Sequence, residues 1–570
     1  MRSDRHPTAP RAERFVLAID LGTGGPKVGL VSLTGHIAWC DHLLVDTHLG
    51  DGGSAEQDPL RWWELIADAT RRALASGAVQ AAQVVAVSCT GQWASTVPVD
   101  ANGIPVGPCV LWMDSRGAPY SRRAVGGPLL GYAPVPLARW IRRTGGAPSI
   151  SGADPIGHML HLEHDRPDVA AAARWYLEPV DYLSMRFTGV AAASHASMTA
   201  AWLTDNRHLE VLAYDPVLVR LAGVPGHKLP PLVRTGSVIG NVLPQVADEL
   251  GLPRSVRVVT GTPDLHSAAV GAGAVLDYQA HLAVSTTSWI SCPVPAKKTD
   301  PLHQIASVPG LSAGRYLVAD NHETGGLCLQ WLRDAVIGPD DALAATGRST
   351  RPSFDELTAL AATAAPGSGG VLFTPWLAGE RSPVDDRNAR GGFHNLSLST
   401  TRAELVRAVL EGVAYNNRWL HQAVERFTGR RLDPVRIIGG GAVSDLWCQI
   451  HADVMGRTVE RVAQPVHANL RGAALFAGLA LGEVELHEVR ELVAVDAVFR
   501  PDPARRAVYE RLYAEFPKLY RAQRPMFARL NGTRRRDTPF ASPRVDGRFP
   551  KDPGHASARP GGPTPKRRSR

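Results

Sequence analysis

The apolar residues of this chain recur in short runs, each of which ends at glycine, hydroxyl or acidic residues. Residues 15–19 lead into the glycine-rich segment 20–27, and residues 281–284 lead into the hydroxyl-rich segment 285–288. A third run, residues 256–259, is followed by a turn that ends at Asp264. Short apolar runs bounded by turn residues are typical of buried β-strands. The pattern predicts strand-and-turn units in both halves of the chain.

Capping residues mark the starts of two predicted helices. Asp58 is an N-cap candidate followed by Pro59 at the first helical position, and Thr401 with Glu404 forms a capping-box pattern. Alternating apolar residues over 27–41 predict a strand meander before the first helix. This order of elements favours a mixed α/β sheet with helices packed on it over a simple doubly wound parallel fold.

The length of the chain predicts two large domains, because 570 residues exceed what one hydrophobic core usually supports. The repeated strand-and-turn unit places the break between them near residues 271–277. The predicted organisation is a disordered N-terminal extension at 1–13, a first domain at 14–272, a second domain at 273–490, a helical segment at 491–529 and a disordered basic tail at 530–570.

The positive charge of the chain is concentrated in that tail. Residues 530–570 contain eleven Lys and Arg against three Asp, which accounts for the whole formal net charge of +8. The tail has few aliphatic residues and cannot bury enough apolar surface to offset its ordering entropy, so we expect it to be disordered. It is either a solvated extension or a segment that binds nucleic acid or another polyanion, and the neutral body gives no other sign of nucleic-acid binding.

Composition argues against several other classes of protein. The six cysteines follow no CxxC or metal-ligand spacing, so we expect reduced thiols and a cytoplasmic location. No apolar stretch reaches the roughly 20 residues that a membrane-spanning helix needs. The first residues lack the apolar core of a secretion signal.

Asp264 is the candidate catalytic residue. It ends a predicted strand with a carboxylate, between the two phosphate-loop candidates at 20–27 and 285–288, where a general base would be offered to a substrate. The alternative is that Asp264 caps a helix over 264–270, and both interpretations can hold together.

Seven motifs occur in a fixed order, at residues 20–27, 111–116, 181–183, 260–264, 379–383, 407–413 and 438–453. In this order the chain resembles the FGGY carbohydrate kinases, and most of all the xylulokinases among them, over about residues 15–486. The resemblance implies two actin-like ATPase domains of ribonuclease-H-like topology around a central cleft. ATP, Mg²⁺ and a sugar would occupy that cleft, where the γ-phosphoryl group passes to a sugar hydroxyl.

The resemblance also implies a nucleotide site. Asp20 would lie near the Mg²⁺ and the phosphates. The expected nucleotide-binding residues are Asp20, Thr23, Lys27, Thr286, Gly326, Gln330, Gly440, Gly441 and Asp445. Small residues in such turns let backbone N–H groups approach phosphate oxygens. A plain hairpin and a tight strand-to-helix turn would explain the glycines without a nucleotide, so these alternatives stay open.

The expected substrate-binding residues are Gln92, Trp93, Asp114, Arg116 and Asp264. Trp93 and Ala94 stand where xylulokinases usually carry Met and His, and Leu265 stands where they carry Asn. Lost polar contacts can redirect specificity, because sites built around substrate hydroxyls discriminate through unpaired polar groups. Trp93 and Trp289 either supply apolar faces for a different sugar or polyol or pack in the core. Asp114 and Arg116 either lie near the sugar or the domain interface, or form a solvated ion pair.

These observations predict an ATP-dependent carbohydrate kinase that acts on D-xylulose or a related ketopentose or polyol. Ribulose, gluconate and glycerol are alternative acceptors. The alternative from another class is a non-catalytic actin-like ATP or sugar sensor whose tail binds a polyanion. The expected partners are the sugar and ATP, and the expected state is a monomer or a homodimer.

Overall fold

The first domain is built on a seven-stranded sheet in this computed structural model, which describes residues 13–129, 131–337 and 351–532. The strands are β1 (Phe15–Gly22), β2 (Gly25–Ser32), β3 (Ile37–His42), β4 (Val84–Gly91), β5 (Val238–Asn241), β6 (Arg257–Val259) and β7 (Thr262–Pro263). Their order is β5-β6-β4-β1-β2-β3, and β7 also pairs with β4. Strands β1, β6 and β7 run parallel to β4, whereas β2 is antiparallel to β1 and β5 to β6.

A five-stranded sheet repeats this pattern in the second domain. Its strands are β8 (Ala280–Val284), β9 (Ser288–Ser291), β10 (Val435–Ile438), β11 (Val459–Val462) and β12 (Val495–Phe499), in the order β9-β8-β10-β11-β12. Strands β8, β10 and β11 are parallel, and the outer strands β9 and β12 are antiparallel to their neighbours. The sheet therefore matches β2-β1-β4-β6-β5 in order and direction, and the predicted two-domain α/β fold is confirmed.

Shorter strands form ribbons around the two sheets. They pair as His48–Gly50, Ser54–Gln57 and Cys109–Val110; Val97–Val99 with Trp175–Leu177; Gly126–Gly127 with Gly131–Tyr132; Ala193–Ser194 with Leu232–Val233; Pro293–Val294, Thr299–Asp300, Ile305–Pro309 and Tyr316–Ala319; and Leu372–Thr374 with Gly392–His394. The four-stranded group over 293–319 belongs to the second domain and, as shown below, packs against the first.

Helices pack on both sheets. They are α1 (Pro59–Ala75), α2 (Ala118–Val125), α3 (Pro134–Thr144), α4 (Pro155–Asp165), α5 (Pro167–Ala172), α6 (Pro179–Thr188), α7 (Pro216–Ala222), α8 (Pro244–Leu250), α9 (Asp264–Gly271), α10 (Leu327–Trp331), α11 (Phe354–Ala362), α12 (Arg402–Thr428), α13 (Asp445–Met455), α14 (Ala468–Ala480), α15 (Val489–Leu492) and α16 (Arg506–Asn531). The predicted caps are confirmed, because Asp58 accepts from Leu60 N–H at 2.9 Å and Thr401 from Glu404 N–H at 3.2 Å.

Two helices lie between the sheets. Leu470 and Phe476 of α14 pack against Val16 and Ala18 of β1, although α14 follows the last parallel strand of the second sheet. Helix α9 belongs to the first domain and packs against Ile438 and Val462 of the second sheet.

The two helices cross at glycine. A Cβ atom at Gly472 would lie 1.9 Å from Ser267 O, and one at Gly271 would lie 1.8 Å from Ala468 O. Such close backbone approach requires residues without a Cβ, so glycine at both positions fixes how the domains are joined.

The C-terminal segment combines a strand and a helix. The helical segment predicted over 491–529 contains β12 as well as α16. Strand β12 alternates half-buried and exposed residues because it covers only one edge of the second sheet. Helix α16 buries Tyr509, Phe516 and Tyr520 against the second domain.

Two further predictions concern the termini. The extension at 1–13 and the tail at 530–570 lie outside the described residues, apart from Glu13 and residues 530–532.

Among the helices within the described ranges, none is long and apolar enough to cross a membrane.

Candidate active site

The candidate active site begins at the carboxyl edge of the first sheet. Asp20 of β1 lies opposite Thr90 of β4, and Pro263 of β7 lies opposite Gly91. Because these three strands are parallel, their carboxyl ends meet at one edge. That edge brings Asp20, Gln92 and Asp264 together, as expected for residues predicted to belong to one site.

The Asp264 carboxyl is half-buried and its pKa is raised to about 7. Loss of hydration is the main cause, and the negative charge of Asp20 raises the pKa further. The Leu265 N–H, which donates to Asp264 Oδ1 at 2.7 Å, and the charge of Lys27 act in the opposite direction. A carboxyl with a pKa near 7 is suited to accept a proton at neutral pH.

The structure also separates the two interpretations of Asp264. Pro263 occupies the N-cap position of α9, and Asp264 is the first helical residue. The Asp264 side chain accepts from Leu265, its immediate neighbour, and not from the amides two or three residues further on that a capping side chain serves. Asp264 is therefore not the helix cap, and its second carboxylate oxygen makes no hydrogen bond to the described residues.

Lys27 stands directly across the β1–β2 hairpin from Asp20. The two residues are register partners, and Lys27 Nζ donates to Asp20 Oδ2 at 3.0 Å. Asp20 is only 3% exposed, so this ion pair keeps a buried carboxylate from being unpaired. Thr23, at the tip of the hairpin, accepts at its hydroxyl from Trp112 Nε1 at 3.1 Å.

Gln92 and Trp93 follow β4 at the same edge. Gln92 Nε2 donates to Gln57 Oε1 at 3.3 Å, while Gln92 Oε1 is buried with no partner among the described residues. Trp93 donates through Nε1 to Ser197 O at 2.9 Å.

The loop after β4 continues at Ala94, which adopts a left-handed conformation with φ of 61°. The backbone N–H of the next residue, Ser95, donates to the carboxyl group of the buried Glu178. The loop after β4 is thus anchored at both ends.

Asp114 and Arg116 form an ion pair in which only the carboxylate is fully buried. Asp114 accepts from Ala55 N–H at 2.8 Å and from Arg116 Nη2 at 2.7 Å. The Arg116 side chain is 21% exposed and also bonds Glu56 at 2.5 Å. The pair is therefore held by neighbouring strands and loops of the first domain and is solvated only at its arginine. A role for this pair near the sugar stays a prediction.

The carboxyl edge of the second sheet carries glycine and hydroxyl residues. Ser285 N–H donates to Thr287 O at 2.9 Å, which closes the turn between β8 and β9. Gly326 N–H donates to Ser285 O at 2.6 Å, so the start of α10 lies against that turn. A Cβ at Gly439, whose φ is 92°, would lie 2.5 Å from Val284 O. The small residues let three backbone segments meet at one point.

The other residues predicted to bind the nucleotide differ in where they lie relative to this point. Thr286 lies within the turn, and its carbonyl accepts from Gly325 N–H at 2.9 Å. Gly440 and Gly441 open the turn that follows β10, and Gln330 lies on α10. Asp445 is different, because its side chain is 77% exposed and pairs with Arg461 at 2.5 Å. Asp445 is the first residue of α13 and directly follows Ser444, the N-cap of that helix.

A buried polar network supports this second edge, and sequence reasoning missed it. Ser288 Oγ lies 2.8 Å from Ala283 O and 2.9 Å from Asn417 Oδ1, and Asn417 Nδ2 lies 3.0 Å from His451 Nε2. The side chains of Asn417 and His451 are buried among apolar residues of α12 and α13. The sequence signal that could have found this network is the presence of polar residues at buried positions of an apolar helix, because buried polar groups need hydrogen-bond partners.

Glu380 also belongs to the support of this edge. It accepts from Asn416 Nδ2 at 2.6 Å and from the N–H groups of Glu323 at 3.1 Å and Arg381 at 2.9 Å. The Arg381 guanidinium bonds Glu323 at 3.0 Å. The adjacent residues Glu380 and Arg381 therefore act through different partners, and Glu380 is the buried one.

One apolar cluster connects the two edges. Trp93 and Leu265 at the first edge pack in it with Trp289, the second residue of β9, and with Val308 and Leu317 of the four-stranded group. Trp289 directly follows the turn over 285–288, so the cluster links the edge that carries Asp264 to that turn. Within the described ranges no group of three or more His, Cys, Asp or Glu residues could hold a metal ion.

A duplicated sheet with a half-buried carboxylate at one carboxyl edge and glycine turns at the other is the architecture expected of a two-domain phosphotransferase. The chain belongs to the FGGY family of carbohydrate kinases: the family's N-terminal domain matches residues 15–271 and its C-terminal domain matches residues 291–481. The protein is therefore an ATP-dependent carbohydrate kinase.

Individual relatives agree with this assignment. The chain is 28% identical to a xylulose kinase of Staphylococcus epidermidis over 91% of its own length and 99% of the relative's. It is 24% identical to a gluconokinase of Bacillus subtilis over 91% of its length and 95% of the relative's. The crystal structure of xylulose kinase from Rhodospirillum rubrum is 28% identical with a TM-score of 0.75, covering 90% of this chain and all of the other.

Proposed function

We propose that this kinase transfers the γ-phosphoryl group of ATP to a hydroxyl of D-xylulose or a related ketopentose or polyol, with Asp264 as general base. One observation carries the proposal. Asp264 stands half-buried at the first sheet edge, beside the Asp20–Lys27 pair, with a free carboxylate oxygen and a pKa of about 7.

The proton and phosphoryl transfers follow from this geometry. Ionised Asp264 accepts the proton of the acceptor hydroxyl while that oxygen bonds to the γ-phosphorus and the bond to the β-phosphate oxygen breaks, which releases ADP. Phosphoryl transfer needs mainly positioning and charge compensation from the protein. Lys27 supplies a positive charge at the first edge, and the amides around Thr286 and Gly326 supply hydrogen-bond donors at the second.

The remaining predicted residues complete the nucleotide site. We infer that Thr23 contacts the phosphoryl end and that Gln330, Gly440, Gly441 and Asp445 border the adenosine. The exposure of Asp445 and its pair with Arg461 favour a peripheral contact.

Asp20 is the residue that would hold Mg²⁺. A carboxylate oxygen is a ligand that Mg²⁺ prefers, and one or two carboxylates suffice because the ion keeps waters and binds substrate phosphates. When bound, the ion would neutralise charge on the phosphates.

An ADP-release assay over acceptors tests the proposal. Ketopentoses, hexuloses, aldonates and polyols are each supplied with Mg²⁺-ATP, and ATP binding is measured separately by calorimetry. We expect at least one acceptor to stimulate ADP release, with xylulose and gluconate as first choices because relatives carry those names. ATP binding without release for any acceptor would contradict the proposal and indicate a sensor.

A further inference from the structure

Gln57 is a fully buried glutamine that belongs to neither the predicted nucleotide site nor the predicted substrate site. It ends the ribbon strand Ser54–Gln57, directly before α1. Its side-chain amide bonds the tip of the β1–β2 hairpin and the loop after β4: Nε2 donates to Thr23 O at 2.7 Å, and Oε1 accepts from Gln92 Nε2 at 3.3 Å. One amide therefore joins a residue predicted to bind the nucleotide to a residue predicted to bind the substrate.

All four hydrogen-bonding positions of the Gln57 amide are used. Besides the two bonds above, Nε2 donates to Thr47 Oγ1 at 2.8 Å, and Oε1 accepts from Trp62 Nε1 at 3.1 Å. A primary amide has two donor hydrogens and two acceptor lone pairs, so none is left over. Because rotation of this buried amide would leave polar groups without partners, the network favours a single arrangement.

The neighbours of Gln57 fix which way its amide points. The indole N–H of Trp62 can only donate, and the backbone oxygen of Thr23 can only accept. The amide oxygen must therefore lie at Trp62 and the amide nitrogen at Thr23. Trp62 is itself fully buried in α1 and packs against the ring of Tyr182, so the donor that sets this orientation is held in place.

The orientation of Gln57 in turn sets the amide of Gln92. Because Gln57 presents its oxygen, Gln92 meets it through Nε2, while the backbone N–H of Gln92 donates to Leu21 O at 2.8 Å. Gln92 Oε1 is then left buried with no partner among the described residues. A buried acceptor without a partner is costly, so this oxygen favours a ligand that donates a hydrogen bond, as a hydroxyl does.

We propose that Gln57 is a positioning residue of the kinase. It holds Thr23 and Gln92 at a fixed separation and keeps Gln92 Oε1 as the atom that accepts from a hydroxyl of the phosphoryl acceptor. Gln57 acts on both substrates only through these two residues. This inference rests on the proposed function, because Thr23 and Gln92 contact ATP and the acceptor only if that function holds.

Gln57→Leu tests the inference in the full-length enzyme, since leucine keeps most of the volume and makes no hydrogen bond. We expect KM for the acceptor and KM for ATP each to rise by about 5-fold, the equivalent of one hydrogen bond, with a smaller change in kcat. Gln245→Leu, at an exposed position of α8, is the matched control and should change neither KM. Unchanged KM values in Gln57→Leu would overturn the inference.

A control for stability uses a second buried hydrogen bond of the same region. Thr70→Val in α1 removes the bond from Thr70 Oγ1 to Ile66 O, at 2.7 Å, and should leave both KM values unchanged whatever its effect on the free energy of unfolding. Equal increases of KM in Thr70→Val and Gln57→Leu would indicate a merely structural role and overturn the inference.

A double-mutant cycle separates positioning from a general loss of structure. If Gln57 acts through Gln92, Gln57→Leu should raise the acceptor KM in the native chain but not in a chain that already carries Gln92→Ala. The same increase in both backgrounds would overturn the assignment. If Gln57→Leu fails to fold, Trp62→Phe removes the orienting donor, keeps an aromatic ring and enters the same cycle. If the native enzyme phosphorylates no acceptor, the proposed function itself fails, and the inference fails with it.

Discussion

The carboxyl edges of the two central sheets share one strand order but carry different chemistry. The first edge holds Asp20, Lys27 and Asp264, and the pKa of Asp264 is raised to about 7. The second edge holds Ser285 and Gly439, whose small size lets backbone groups come into contact. A carboxylate is suited to accept a proton, whereas turns of small residues let N–H groups approach a phosphate. A few residues at the strand ends thus give two copies of one sheet different chemistry.

The largest effect should come from the base on the first edge. Asp264→Ala removes the proton acceptor, so we expect turnover to fall by about 10²-fold or more while ATP binding persists. Steady-state ADP release and calorimetry measure the two quantities. Asp248→Asn, an exposed carboxylate paired with Arg254, is the control and should keep full turnover. If Asp264→Ala retained more than a tenth of the activity, another residue would have to be the base.

The glycine crossing that joins the two sheets should show the next largest effect. Gly472→Ala places a Cβ 1.9 Å from Ser267 O, so the α9–α14 crossing must separate. We expect a loss of about 1–3 kcal/mol in the free energy of unfolding, measured with denaturant. The control Gly240→Ala meets only the Thr188 side chain, at an ordinary contact distance of 3.6 Å, and should be close to neutral. Equal stability of the two variants would show that the crossing is not tight.

A smaller effect should appear at the second edge. Asn417→Ala removes the side chain that bonds Ser288 Oγ at 2.9 Å, which should loosen the turn over 285–288. We expect KM for ATP to rise by about 3-fold to 10-fold with a smaller change in kcat, since one buried hydrogen bond is worth about 1 kcal/mol. Asn388→Ala is the control. A change in the acceptor KM alone would place this turn outside the nucleotide site.

Deletion of residues 533–570 should have the smallest effect. Every residue assigned to the candidate site precedes residue 533, so we expect unchanged kcat and KM. The deletion removes the eleven basic and three acidic residues that account for the whole net charge of +8. Reduced turnover would assign the tail a part in the reaction.

Local patterns predicted the sheet edges well. Apolar runs that lead into Asp20, into the turn before Asp264 and into the turn at Ser285 identified the strands and their turns, because strand and turn preferences act over a few neighbouring residues. The caps at Asp58 and Thr401 were predicted for the same reason.

Long-range contacts were not accessible from these patterns. The bond between Ser288 and Asn417 joins residues 129 positions apart, and α14 covers the first sheet although it lies in the second half of the chain. Leu265 and Trp93 stood out as departures from the xylulokinase pattern, but only the fold brings Trp289 to them. Such pairings depend on topology and not on local preference.

The pH dependence of kcat/KM for the acceptor tests the central claim most directly. Asp264 can accept a proton only when ionised, and its pKa is raised to about 7, so activity should be full above that pH and fall about 10-fold per unit below it. KM for ATP, measured over the same range, separates this loss from weaker nucleotide binding. A profile that stays flat from pH 5.5 to 8 would contradict the assignment of Asp264 as the base.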